Sequence, residues 1–351
     1  MTEQALEGLI YCGQVLIPAL FPFMVLSELL CELGFFERIS FIFSKPCSRL
    51  LKLPGAAVGA VILSMVGGFP VGAACTARLY ERGLINHEQG CRMLRFVVGA
   101  GPAFVIVALG EKMLGSAVVG LVLYVAQVLS QLTIAVLEGI ISKSEIKDKK
   151  YNPIKPPPFS ETLINSCFKS SDSILKLCAM VVVFSAFMGV LSDFRLLSAV
   201  ENLMELIRIP SSISHSLVYV VLEVTAGCSE AVRAGAPLEF VAFAVGFGGL
   251  SVHFQIFSLL GKLNISKVGF FLHRLLAGAM CSGYTYILSL FIQGEVQTIS
   301  LSTPQGVEFS SSTIVGSIAL IFCCLVFVLS LKRSRRITPP RSGHIIREEA
   351  K

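Results

Sequence analysis

Charge is scarce in this sequence. Of its 351 residues only 15% are Asp, Glu, Lys or Arg, against roughly a quarter in an ordinary soluble protein. Hydrophobic residues make up 54% and the mean hydropathy is +0.76. A soluble fold could not cover its surface with so few charges, and a disordered chain would need the opposite balance. Tryptophan is absent. So is any CxxC pair, and the 11 cysteines are an odd number scattered through apolar stretches. They read as small buried hydrophobes, which argues against a disulfide framework, a zinc site or an iron–sulfur cluster. No GxxxxGK[ST] loop occurs, so no nucleotide-driven motor is encoded. His87-Glu88 lacks the second histidine of a zinc protease, and Gly246-Phe247-Gly248 lies inside an apolar run where no dinucleotide turn would sit. No catalytic residue, cofactor, metal site or nucleic-acid partner is expected. The acidic start MTEQALEG carries no secretory signal.

What remains is an all-α, polytopic integral membrane protein. Apolar runs fall at 8–34, 55–77, 93–110, 113–141, 171–194, 212–228, 238–260, 268–293 and 312–331. With about 20 residues needed per span, about eight transmembrane helices are expected. The positive charge is concentrated outside these runs. Residues 332–351 hold seven Lys/Arg against two Glu, and Lys143, Lys147, Lys149, Lys150 and Lys155 face only Glu145 and Asp148. Both stretches read as cytoplasmic by the positive-inside rule, with binding to anionic lipid or nucleic acid the lesser alternative. The expected organisation is a first membrane half (1–142), a Lys/Pro-rich linker (143–160), a second half (161–293), a polar loop with a terminal helix (294–331) and a basic tail (332–351). Two cytoplasmic basic segments require an even number of crossings between them, yet five runs lie there. A re-entrant hairpin, or a run at 212–228 that does not cross, resolves the conflict.

The two halves repeat weakly, and each contains two apolar runs interrupted by glycine or proline. The interruptions lie at Val66–Gly72, Gly99–Phe104, Leu222–Gly227 and Gly246–Gln255. A broken helix frees amide and carbonyl groups that hydrocarbon cannot satisfy, so such breaks persist only beside protein, water or a ligand. Paired breaks in two halves point to a transporter site made of discontinuous helices, whose N-terminal ends favour an anionic or strongly polar substrate. The plainer reading is that glycine and proline supply kinks and close packing. Candidate substrate-binding residues are Gly68, Phe69, Pro70, Gly72, Gly101, Pro102, Glu223, Thr225, Gly227, Gly249, Ser251, His253 and Gln255. Glu223 and His253 are ionisable groups deep inside runs, where each needs a partner, a neutral form or water. They read either as a substrate or proton-coupling site or as structural groups, Glu223 pairing with Arg274 or His273. Arg78, Arg92 and Arg95 read as interfacial anchors, with attraction of an anion the alternative. Glu28 and Glu32, one helical turn apart near Arg38, read as an interfacial cluster.

These residues carry a resemblance. Ile17-Pro18-Ala19-Leu20-Phe21-Pro22-Phe23, Gly68-Phe69-Pro70-Val71-Gly72 followed by Arg78-Leu79-Tyr80 and Gly83, and Gly101-Pro102-Ala103-Phe104 are similar to the sporulation integral membrane protein YlbJ family. Leu222-Glu223-Val224-Thr225-Ala226-Gly227 and Gly248-Gly249-Leu250-Ser251-Val252-His253-Phe254-Gln255 resemble the same family. The likeness runs over roughly residues 5–292. It places the chain in the wider nucleoside recognition, or Gate, group, which includes spore maturation proteins, concentrative nucleoside transporters and the membrane part of a ferrous iron transporter. Phe69 departs from the Gly-Tyr-Pro of that group by lacking a hydroxyl, and the iron transporter's GTPase domain is missing. The resemblance implies transport of a small anion, dipicolinic acid, across the outer forespore membrane, the mother-cell-derived membrane of the developing spore. Homo-oligomers or other sporulation membrane proteins would be its partners. Two alternatives stay open: a nucleoside or other small-metabolite carrier, and a membrane scaffold for spore assembly without transport.

Overall fold

The computed structural model describes residues 2–34, 45, 47–142, 158–194 and 196–291, and among them every regular element is helical. Most of the linker, the terminal helix at 312–331, the tail and Arg38 lie outside the described residues. Helix starts follow local chemistry. Pro158, Pro210 and Pro237 stand immediately before Phe159–Asp193, Ser211–Leu222 and Leu238–Phe247, with φ already near its helical value. Asn86 and Gln89 form a reciprocal capping box at 2.8 and 2.9 Å ahead of His87–Leu94. Within the helices, hydroxyls return to their own backbone, as Thr76 does to Gly72 O at 2.8 Å and Ser166 to Thr162 O at 2.7 Å.

The first half opens with α1 (Thr2–Tyr11), which widens through a π-helical turn at Cys12–Leu16 into α2 (Ile17–Glu32). Pro18 can give residue 14 no amide hydrogen, and the extra residue in the turn lies directly before it. There follow α3 (Ala56–Gly67), α4 (Phe69–Glu81) and α5 (His87–Leu94). An irregular stretch at 95–101 leads to the π-helical segment Ala103–Met113, and α6 (Ala117–Ile141) closes the half. The second half repeats the order. The long α7 (Phe159–Asp193) and α8 (Leu196–Leu206) precede α9 (Ser211–Leu222) and α10 (Val224–Arg233). Then come α11 (Leu238–Phe247), α12 (Gly249–Leu259) and the closing α13 (Lys267–Ser289).

Two kinds of break distinguish these elements. At Gly68 and at Glu223 the chain reverses, so that α3 packs on α4 and α9 on α10. A β-carbon at Gly72 would stand 2.9 Å from Ser64 Cβ, and one at Gly227 only 2.5 Å from Val220 Cα. Each is a hairpin whose arms, at most 13 residues long, reach about 20 Å and fall short of a bilayer core of about 30 Å. The runs 55–77 and 212–228 are therefore hairpins, and the odd run in the second half is accounted for without a crossing. At Gly248, by contrast, the helix is interrupted but continues.

By length and composition three helices among the described residues can cross a membrane: α6, α7 and Leu238–Leu259, the last counted across its break. The expected eight do not emerge by this measure, because the hairpin arms are short and α13 carries Lys267, His273 and Arg274. The outward face of α6 presents Val118, Leu121, Val125, Leu132 and Ile140, as a lipid-facing helix should. Its inward face sets Gln127, Ser130 and Gln131 among apolar residues, and it joins the halves: Ser130 Oγ donates to Ala277 O at 3.0 Å and Thr133 meets Tyr284 at 2.6 Å. Gly246 packs on Gly278 so closely that a β-carbon would come within 2.7 Å of its Cα.

Candidate functional site

The four breaks meet. In the first half the hairpin tip touches the broken segment backbone to backbone: a β-carbon at Gly101 would lie 3.3 Å from the Gly68 amide nitrogen. Gly68 itself holds φ +80, a conformation open to glycine at little cost. In the second half the relation recurs, since a β-carbon at Gly249 would lie 3.1 Å from the amide nitrogens of Glu223 and Val224. The halves join where the Phe69 ring faces Gly248, 3.3 Å from the position its β-carbon would take.

Between these tips lies a cavity of about 50 Å³. Its walls include the starts of α4 (Gly68, Phe69, Pro70), of the Ala103–Met113 segment (Ala100, Gly101, Phe104) and of α10 (Glu223, Val224, Thr225), with Val252 and Gln255 from the first turns of α12. Leu16, Leu20, Leu177 and Val181 complete it. Four helix N-termini thus border one small space, each bearing roughly half a positive charge in its unpaired amides. Three have no side-chain cap, at Gly68, Pro102 and Gly248. The fourth is capped by the residue just before it: Ala226 N–H donates to Glu223 Oε2 at 2.7 Å. The amide and hydroxyl of Thr225 lie beside the same carboxylate.

Glu223 is 5% exposed. No Lys, Arg or His among the described residues forms an ion pair with it. The pairing with Arg274 or His273 does not occur. Arg274 is buried and donates instead to three carbonyls, at Phe247 (3.2 Å), Gly246 and Val98. These acceptors are the last carbonyls of α11 and the irregular stretch of the first half, groups that the two breaks leave without helical partners. His273 takes a different partner, Glu138, at 3.2 Å. Gln127 performs the matching service at Ala100, accepting from its N–H at 3.0 Å and donating to its carbonyl at 2.8 Å.

Of the sequence candidates, Gly68, Phe69, Pro70, Gly101, Glu223, Thr225 and Gln255 line the cavity. Gly72, Gly227 and Gly249 serve close backbone approach, Gly72 lying so near Val97 O that a β-carbon would fall 2.0 Å away. Pro102 starts the π-helical segment. Ser251 and His253 are buried behind the cavity wall. His253 Nδ1 donates to Gly249 O at 2.6 Å, and the ring sits among Phe247, Phe257, Phe270 and Phe271 at 5.2–6.5 Å. Sequence reasoning missed Tyr11, whose buried hydroxyl faces Thr225 and Glu223. It also missed Gln127, whose amide inside the apolar run 113–141 was a usable signal.

The flanking charges form separate clusters. Glu28 pairs with Arg78 and, at 3.5 Å, with Lys169, which also holds Glu32 at 2.6 Å. This cluster borders a second cavity, of about 30 Å³, that shares Pro70 with the first. Arg95 grips Glu138 through both carboxylate oxygens at 2.8 Å. Arg92 donates to Leu51 O at 2.6 Å and to Ser142 Oγ at 2.8 Å, tying a loop to the end of α6.

Residues 14–140 match the family described as Gate, nucleoside recognition. The chain is 24% identical over 313 residues to the sporulation integral membrane protein YlbJ of Bacillus subtilis (strain 168), covering 82% of this chain and 77% of that protein. No solved structure matches it. Most of the first half is thus similar to the nucleoside recognition (Gate) family, in an integral membrane protein similar over most of its length to one of sporulation.

Proposed function

We propose that this protein is a membrane transporter of a small anionic aromatic metabolite, with dipicolinic acid, moved across the outer forespore membrane during sporulation, as the substrate. One observation carries the reading: four helix N-termini from the two halves border one small cavity. Broken helices arranged so are how a membrane protein offers polar groups to a solute without exposing backbone to lipid. Gln255 adds a second support. It is 7% exposed and lines the cavity, and its side-chain amide has no partner among the described residues.

At about 50 Å³ the cavity has room for a few waters, at 10–15 Å³ each, and none for an aromatic dianion. A substrate of that size needs a wider space, so transport requires the hairpin tips to part. Movement at the Phe69–Gly248 contact between the halves would open it.

Proteoliposomes containing the purified protein are expected to accumulate labelled dipicolinate above empty vesicles. Unlabelled nucleosides competing better than dipicolinate would favour a nucleoside carrier. Equal uptake by both vesicle types, with the protein folded, would leave the scaffold reading.

A further inference from the structure

The carboxylate of Glu223 is at odds with an anionic substrate. It lines the cavity, it is nine-tenths buried, and it occupies the amide of Ala226 that an anion would seek at the head of α10. Other titratable groups facing it are Tyr11 from α1, Cys12 from the π turn and Cys228 on its own helix. From α12 the near group is the Gly249 backbone, and the nearby His253 turns its Nδ1 to that backbone. None of these supplies a lasting positive charge, and Arg274 is engaged with carbonyls. Two ionised carboxylates in so small and apolar a space would repel each other with little screening.

We infer that Glu223 links anion binding to proton uptake: a substrate carboxylate and the Glu223 carboxylate are alternative anionic occupants of the α10 N-terminus. As the anion enters, the Ala226 N–H···O bond passes from Glu223 Oε2 to a substrate oxygen. A proton from hydronium or the buffer acid in the surrounding water moves onto the Glu223 carboxyl, breaking the donor's bond to hydrogen and leaving its conjugate base, and Glu223 then offers the substrate a donor. No other covalent bond is made or broken, and on release the proton leaves with the anion. Gln255, which also lines the cavity, serves either occupant. This inference rests on the anion-transport reading of the cavity and adds its coupling.

The test is calorimetric titration of the full chain in detergent with dipicolinate, picolinate and uridine, in HEPES and in Tris, whose ionisation enthalpies differ. The buffer dependence counts the protons taken up per ligand. The wild type is expected to take up about one proton per dipicolinate. E223Q and E223S, whose neutral side chains can still accept the Ala226 N–H, are expected to bind it with uptake near zero. Thermal melting verifies that each variant is folded, and the two variants cap differently, so one can stand in for the other. Dipicolinate binding without proton uptake in the wild type overturns the linkage alone. So does uptake that persists in a folded variant. Binding of uridine and no anion, or of none of the three by folded protein, overturns the anion reading and the linkage together.

Discussion

The two hairpin tips occupy equivalent places and differ in chemistry. At Gly68 the tip is bare backbone, glycine against Gly101, with no capping side chain. At Glu223 the tip carries its own carboxylate, folded back onto Ala226 N–H. The same contrast separates the broken segments. Gly101 lines the cavity without a side chain, whereas α12 presents Gln255. A duplicated scaffold is thus used asymmetrically: both halves supply helix N-termini, and the second alone supplies ionisable or amide side chains to the wall. Scaffold substitutions should then act alike in both halves, and chemical ones in the second only.

The largest effect is expected at the group that serves both halves. Arg274→Leu would strip donors from Val98, Gly246 and Phe247 carbonyls, at about 1–3 kcal/mol for each buried group left unpaired. Loss of monodisperse protein on size-exclusion chromatography in detergent is the expected result. Next come the close approaches. Gly72→Ala and Gly227→Ala both force a β-carbon into backbone, at 2.0 Å and 2.5 Å. Each should cost about 1–3 kcal/mol, read as similar drops in melting temperature; a large drop in one alone would break the equivalence of the halves. E223Q should leave melting nearly unchanged and cut dipicolinate uptake into proteoliposomes by about tenfold, equivalent to ~1.4 kcal/mol. No first-half tip residue offers a matching ionisable target. The smallest effect is expected from Lys169→Met, whose half-exposed ion pairs with Glu28 and Glu32 are worth about 0–1 kcal/mol. Uptake should remain near wild type, since the proposed substrate site is the first cavity.

The positions of the four breaks were legible because glycine and proline interrupt runs that are otherwise apolar, and a span tolerates that only at cost. What each break does was not legible. Gly68 and Glu223 reverse the chain, while Gly248 interrupts a helix that carries on, and the choice depends on packing between segments distant in sequence. The reversal shows that one apolar run need not be one crossing. Opposite charge suggested Arg274 as the partner of Glu223. The structure gives it carbonyls instead, because broken helices leave acceptors whose location only the fold reveals. His253 and Ser251 read as site residues from their place beside a break. A rotation of about 100° per residue separates them from the wall that Val252 and Gln255 share.

The central claim is that the meeting point of the four breaks is where substrate binds. It is tested most directly by a structure determined with a bromine-substituted dipicolinate, whose bromine marks the ligand by anomalous scattering. The peak is predicted between Gly68, Gly101, Glu223 and Gln255, with the hairpin tips moved apart to admit it. A peak confined to the cluster of Glu28, Arg78 and Lys169, with the four-break cavity still closed, would contradict the account.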